Sequence, residues 1–144
     1  MSGQLPTADE VLLRQIHPSF FDKGEPSSQP FCPTPKDENK LSVDRSSLTT
    51  AQSSFELHTV AKGLASAAVY GLTVDEFQQQ SIGCISDPIA ATESTPENLA
   101  HAYADYNPHK PSAQKNIAKR LKQAAIKRGC LYSPHHSASE NAQI

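Results

Sequence analysis

Short apolar runs separated by prolines, glycines and polar residues predict several β-strands. Residues 11–17 are mostly apolar and stop at Pro18, which favours a buried strand over the short helix that is the alternative. Residues 41–43 alternate apolar and polar side chains, as a strand with one buried face does. Residues 66–72 and 99–106 are the other main predicted strands. Together these runs predict a small sheet.

Helix-capping signals mark the first two predicted helices. Thr49 and Gln52 form a capping-box pattern, and the helix that they open is predicted to end at Gly63. A second capping box, Thr73 with Glu76, opens a helix that runs to about residue 80. The first helix is predicted to lie against the sheet through its apolar positions, which are Ala51, Phe55, Leu57, Val60, Ala61 and Leu64.

The rest of the chain is predicted to be irregular until a final helix begins. Residues 82–97 contain two prolines, which disfavour regular structure. Ser112 is a candidate N-cap for a helix that reaches Arg128, ahead of Gly129. Its predicted inner positions are Ile117, Leu121, Ala124 and Ala125. This pattern predicts a C-terminal amphipathic helix.

These elements predict an α+β fold with a small mixed sheet, helices packed mainly on one face and a C-terminal amphipathic helix. A chain of 144 residues is the size of one domain. We expect a flexible N-terminal tail at residues 1–7, a single domain at 8–134 and a flexible C-terminal tail at 135–144, because both ends contribute little apolar material.

The composition favours a cytoplasmic protein that has no membrane partner. No apolar run approaches the ~18 residues that cross a bilayer, and residues 1–7 lack the features of a secretory signal. Cys32, Cys84 and Cys130 are odd in number and widely spaced. This spacing predicts reduced thiols rather than a disulfide framework. We expect neither a cofactor nor a metal site.

Charge is distributed unevenly along the chain. Residues 1–106 carry six Lys and Arg against fourteen Asp and Glu, whereas residues 107–139 carry seven Lys and Arg and no acid. Lys115, Lys119 and Lys122 share one side of the last predicted helix, so nucleic-acid binding is one alternative. No aromatic residue is interleaved with these lysines, so we favour a solvated helix face over nucleic-acid binding, and intramolecular pairing with the acidic portion over an acidic partner.

Arg14 and His17 are the candidate residues for chemistry on a phosphate. A guanidinium binds phosphate or carboxylate in a planar fork, and a histidine transfers protons near neutral pH. With Ser28 they define an enzyme alternative acting on a phosphate-bearing substrate such as NAD or RNA. The competing interpretation is that Arg14 pairs with an acid and His17 ends the strand.

The proline-rich segment that follows is the candidate recognition surface. Pro30, Pro33 and Pro35 hold residues 29–36 extended, with a short edge strand at 29–32. A constrained loop loses less entropy on binding, and the chain has no G-x-S-x-G elbow or P-loop, so we favour protein binding over catalysis. The candidate binding residues are His17, Ser28, Gln29, Thr34, Lys36 and Asp37.

Histidines elsewhere give weaker signals. His101 and Asp105 share a face of a predicted strand, and they could form a site with His17 only if distant segments converge. His135 and His136 lie in the predicted C-terminal tail, and we assign them no role.

Four stretches carry a resemblance: Arg14-Gln15-Ile16-His17-Pro18, Ser28-Gln29-Pro30-Phe31, Pro33-Thr34-Pro35-Lys36-Asp37 and Leu41-Ser42-Val43. With the closing Arg128-Gly129-Cys130-Leu131-Tyr132, they resemble an uncharacterised family of small bacterial proteins. That family is loosely associated with toxin–antitoxin and toxin–immunity loci. The resemblance and the acidic charge together favour a non-enzymatic cytoplasmic protein-binding module, an antitoxin or immunity protein that neutralises a toxin from a neighbouring reading frame. We expect it to recognise that partner through residues 17–37 and the acidic surface.

Overall fold

A computed structural model describes residues 3–134 and contains a six-stranded sheet and a small two-stranded one. The strands are β1 Gly3–Gln4, β2 Val11–Ile16, β3 Phe21–Asp22, β4 Glu25–Pro26, β5 Lys40–Arg45, β6 Ala68–Thr73, β7 Gly83–Ser86 and β8 His101–Asp105. The main sheet has the order β1-β7-β8-β5-β2-β6, and β3 pairs with β4.

The α+β prediction is confirmed, but the sheet is antiparallel throughout rather than mixed. Of the described strands, only β7 and β8 are neighbours both in the chain and in the main sheet, so the other antiparallel pairs join strands that are distant in sequence. The predicted N-terminal tail also contributes to the fold. Gly3–Gln4 pairs with β7, and Leu5 is buried. Residues 135–144, predicted as the other tail, lie outside the described residues.

The helices are α1 Ala51–Glu56, continued by a π-helical turn Leu57–Ala61, then α2 Val74–Gln78 and α3 Pro111–Arg128. Three short 3-10 helices lie at Pro18–Phe20, Gln29–Phe31 and Pro35–Asp37. The predicted edge strand at 29–32 is therefore wrong, because Pro30 and Phe31 turn inward and are buried. The strand β7 falls within the stretch predicted to be irregular.

One face of the sheet packs against α2 and α3 and forms the core. Alternate strand residues such as Leu12, Leu41 and Ala102 are buried there. The predicted inner positions of α3 are confirmed for Ile117 and Leu121. Burying a side chain of this size contributes about 1.5–3 kcal/mol. The helix α1 packs against the other face of the sheet.

Local capping signals are partly confirmed. Glu76 N–H donates to the Thr73 hydroxyl at 3.1 Å, and Thr73 N–H donates to the Glu76 carboxylate at 2.8 Å, so the second capping box forms as predicted. The first helix is capped one residue later than predicted, by Thr50. The last helix begins at Pro111, ahead of the predicted cap Ser112, because proline is well suited to a first helical turn.

The predicted apolar contact of α1 with the sheet is wrong. Val60 is 80% exposed and Leu64 is 52% exposed, whereas Ser54 is only 2% exposed. The reason is the chemistry of the sheet face beneath, where Gln15 and Asp44 point toward the helix and hydrogen-bond to Ser54. The helix packs through polar groups, on the face opposite α2 and α3.

Candidate functional site

The sheet opens between its two central strands. β2 and β5 pair only at Leu12↔Arg45 and Leu13↔Asp44, although a continuing register would set Gln15 opposite Ser42. On its other side β2 stays paired with β6 as far as Ile16. The ladder therefore ends part-way along β5 and leaves a gap in the middle of the sheet.

Arg14 spans this gap. Its Nε donates to the carbonyl oxygen of Pro30 at 2.7 Å, and its Nη1 donates to that of Ser42 at 3.0 Å. Among the described residues, no carboxylate oxygen lies within 4.0 Å of a nitrogen of this guanidinium. Burial lowers the pKa of Arg14, yet an arginine stays protonated at neutral pH. The gap thus holds a partly buried cation that has no carboxylate within 4.0 Å among the described residues, although the charge of Asp37 acts on it from farther away.

The gap leads into a cleft of about 530 Å³ on the face that α1 covers. The sheet forms its floor, while α1, the π-helical turn and residues 62–65 form a wall. Its basic and imidazole groups are Arg14, His17, His58, Lys62 and His101. Asp44 is the only carboxylate among the described residues that line it. The cleft is therefore an electropositive pocket in an otherwise acidic stretch of sequence.

Two histidines of the cleft have defined environments. The Nδ1 of His17 accepts a hydrogen bond from the Ser19 backbone N–H at 3.0 Å, so the neutral ring carries its proton on Nε2. Burial lowers the pKa of His58, and the nearby charge of Lys62 lowers it further. His58 is therefore neutral at neutral pH, and an anion bound nearby would favour its protonation.

A chain of hydrogen bonds fixes the wall to the floor. Ser66 donates to Gln15 at 2.8 Å, Gln15 donates to Ser54 at 2.8 Å, and Ser54 donates to Asp44 at 2.6 Å. Asn98 completes the chain by donating to the other Asp44 oxygen at 2.8 Å. Each carboxylate oxygen of Asp44 thus accepts a hydrogen bond from a neutral side chain, Ser54 or Asn98. The carboxylate is thereby engaged in structure, away from the Arg14 guanidinium.

The structure brings together some of the predicted site residues. Arg14, His17 and His101 line the same cleft, as the enzyme alternative requires, whereas Ser28 does not line it. Lys36 and Asp37 line a neighbouring depression of about 450 Å³.

The other predicted contacts lie outside the cleft. Gln29 and Thr34 are exposed, and the Thr34 hydroxyl donates to Asp37 at 2.9 Å. Asp105 accepts from Asn107 at 2.8 Å and does not line the cleft with His101. In the described part of the chain, no group of three or more His, Cys, Asp and Glu is arranged to hold a metal ion.

Sequence reasoning missed Ser42, His58, Lys62 and Asp87. Ser42 occupies a polar position between two apolar residues of a strand, and this alternation could have predicted that its hydroxyl is exposed. His101 was singled out, but its partner is Asp87, from the end of β7, and not Asp105 of its own strand. The pairing depends on the order of the strands, which the local pattern does not give.

The basic helix is joined to the acidic portion at one ion pair in the described chain. Arg128 donates to Glu76 at 2.8 Å. Lys115 and Lys119 are exposed, and the described ion pairs do not include Lys122. Intramolecular pairing thus accounts for little of the charge on α3.

None of the helices within residues 3–134 combines the length and apolar character needed to cross a bilayer.

The three cysteines are free thiols in the structure. Burial raises the pKa of Cys84 to about 12, and burial also raises the pKa of Cys32 and Cys130. A thiol with a raised pKa is a poor nucleophile at neutral pH. The cysteines therefore act as packing side chains.

Comparison of the chain with protein-family models, curated proteins and solved structures finds no match. The resemblance to bacterial conflict-locus proteins accordingly stays a prediction. Functional inference depends on the geometry of the cleft.

Proposed function

We propose that the protein binds a small organic anion, bearing a phosphate or a carboxylate, in the cleft next to Arg14. The observation that carries this proposal is the Arg14 guanidinium, held between two parted strands with backbone carbonyls as its hydrogen-bond acceptors. Arg14 is partly removed from water with no carboxylate in contact among the described residues, and such a cation is costly. An anionic ligand would offset that cost through charge-assisted hydrogen bonds.

The groups around Arg14 support the same chemistry. Lys62 adds a second positive charge, and His17 offers an Nε2–H donor from the rim. His58, kept neutral by burial and by Lys62, would take up a proton when an anion enters. Anion binding should therefore strengthen as the pH is lowered toward the ordinary pKa of histidine, about 6.5.

The protein-partner prediction for residues 17–37 and the nucleic-acid alternative for α3 stay predictions. Phe31 and Pro26 anchor the proline-rich segment in the core, and its polar groups are spread over the exterior. The lysines of α3 are likewise spread along a convex surface. The cleft takes precedence because it concentrates charged and hydrogen-bonding groups around one concave volume.

The test is a thermal-unfolding titration with inorganic phosphate at constant ionic strength, with chloride as the reference. For a dissociation constant of about 1 mM, about 10 mM phosphate should stabilise the fold by about 1.4 kcal/mol. In a domain of this size that is a rise in Tm of about 3–6 °C. Arg14→Gln should abolish the rise, measured against the variant's own Tm in chloride.

Arg120→Gln is the matched control, because it removes the same charge from the exposed side of α3, where Arg120 donates to Gln80. It should keep the full phosphate response. His58→Gln should keep phosphate binding but flatten its pH dependence. The proposal is wrong if phosphate raises the wild-type Tm no more than chloride does, or if Arg14→Gln responds as the wild type does.

A further inference from the structure

Ser42, His101 and Asp87 form a hydrogen-bonded series at the edge of the cleft. Ser42 Oγ lies 3.2 Å from Nε2 of His101. Nδ1 of His101 lies 3.2 Å from the Asp87 carboxylate and 3.0 Å from the Asp87 carbonyl oxygen. Both neighbours of Nδ1 are acceptors, so Nδ1 carries the proton and Nε2 is free to accept the hydroxyl proton of Ser42.

The sheet order explains why these three residues meet. β7, β8 and β5 are consecutive neighbours, and the register pairs Ser42 with Tyr103 and Asp44 with His101. Ser42 and His101 therefore lie on the same face, offset diagonally by one residue pair. Asp87 follows β7 directly. Its backbone N–H donates to the backbone carbonyl of His101 at 2.9 Å, and this bond keeps the two residues side by side.

The position of Ser42 suits a nucleophile. Its residue is exposed, and with His101 it lines both the cleft and the neighbouring depression of about 450 Å³. The Arg14 guanidinium donates to the Ser42 backbone carbonyl at 3.0 Å, so a fixed positive charge lies in the cleft that the Ser42 side chain also lines. A preorganised cation next to the reacting centre stabilises negative charge that develops on a substrate oxygen.

We propose that Ser42, His101 and Asp87 hydrolyse an ester whose acyl group carries the anion held by Arg14. The choice of substrate rests on the proposed function. Ser42 is the nucleophile, His101 the general base and acid, and Asp87 a positioning residue that fixes the imidazole tautomer. The arrangement meets the geometric requirement that a base lies within about 2.6–3.2 Å of the oxygen whose proton it removes.

The reaction proceeds by two balanced acyl transfers. Ser42 Oγ bonds to the ester carbon while its proton passes to Nε2 of His101. The bond from carbon to the alcohol oxygen breaks, and the departing alcohol takes that proton. A water molecule then attacks the acyl-serine, gives a proton to His101, and releases the carboxylic acid as Ser42 regains its hydrogen. The net change is ester plus water to acid plus alcohol.

The first experiment is labelling of the full chain with a fluorophosphonate, in which a serine nucleophile displaces fluoride from phosphorus. Mass spectrometry should find one phosphonyl group, on Ser42. Ser42→Ala and His101→Gln should slow labelling by at least about 100-fold, since general-base assistance contributes about 10²–10⁴-fold. Ser46→Ala, an exposed serine just past the end of β5, is the matched control and should label as the wild type does.

The Asp87→Asn variant tests whether Asp87 acts on His101, because a purely structural role of Asp87 would not change the pH profile of labelling. It should lower the rate of labelling and shift its pH profile, because an amide does not stabilise the imidazolium. Labelling that is absent from the wild type, or equal in Ser42→Ala, overturns the proposal.

Hydrolysis of mono-p-nitrophenyl succinate and of neutral p-nitrophenyl acetate separates this inference from the proposed function. If both hold, Arg14→Gln loses the preference for the anionic ester. If Ser42 is labelled while phosphate gives no Arg14-dependent rise in Tm, the nucleophile stands and the anion site is wrong. If phosphate binds normally and Ser42 is not labelled, the anion site stands and the hydrolase is overturned.

Discussion

Replacing Ser54 with Ala should loosen the wall of the cleft from its floor. The Ser54 hydroxyl, which is buried, donates to Asp44 at 2.6 Å and accepts from Gln15 at 2.8 Å. A hydrogen bond to a charged group contributes about 1.5–3 kcal/mol and a neutral one about 0.5–1.5 kcal/mol. Because both partners are half-buried and line the cleft, water replaces part of what is lost, and we expect Ser54→Ala to lower the free energy of unfolding by about 1–3 kcal/mol.

The measurement is urea unfolding of the wild type, Ser54→Ala and Ser53→Ala. Ser53 is the matched control because it lies one residue earlier on α1 with its side chain exposed. Alanine is a better helix former than serine, so Ser53→Ala should be neutral or slightly stabilising. If the two variants differ by less than about 0.5 kcal/mol, which is the usual range for surface substitutions, the polar packing of α1 does not hold the wall in place.

Two further predictions concern the core and the response to acid. Tyr106→Phe should cost about 1–3 kcal/mol in urea unfolding, because the buried Tyr106 hydroxyl donates to the Phe31 carbonyl at 2.6 Å; an equal loss in Tyr103→Phe would contradict this reason. Burial opposes ionisation of Glu10, but hydrogen bonds from Arg45 and a nearby serine outweigh it and lower the pKa of Glu10 below its usual 4.5. The unfolded chain then binds more protons, so the free energy of unfolding should fall as the pH drops below about 4.5, through the folded-state pKa. Glu10→Gln should be less stable than the wild type at neutral pH, and the difference should shrink in acid; parallel pH profiles would show that this carboxylate is not the acid-sensitive group.

Local patterns predicted the elements whose formation depends on neighbours in sequence. β2 and β5 lie at the predicted apolar runs, and the Thr73 capping box forms because its two groups are three residues apart. The predicted inner positions of α3 repeat at helical spacing, and Ile117, Leu121 and Ala125 are buried as predicted, whereas Ala124 is half-buried. Each of these features depends on side chains that are only a few residues apart in the sequence.

The cleft depends on contacts between distant segments, and these were not predictable from local pattern. The early end of the β2–β5 ladder involves residues about 30 positions apart, and no turn connects them directly. His101 finds Asp87 only because β7 and β8 are neighbours. The buried position of Ser54 likewise depends on the polar face of the sheet beneath α1, which the apolar spacing of α1 does not reveal.

Three departures from local rules meet at the cleft. A strand ladder stops early, a partly buried arginine has no carboxylate within 4.0 Å among the described residues, and a helix buries a serine while it exposes Val60 and Leu64. Each feature lowers the stability that a fully paired sheet with an apolar helix contact would have. Proteins retain such departures where function requires them, and pair them with consistent packing elsewhere, as the α2 and α3 side of this sheet does. Pairing Gln15 with Ser42 would close the gap and extend the ladder, but it would leave no opening in which Arg14 could meet a ligand.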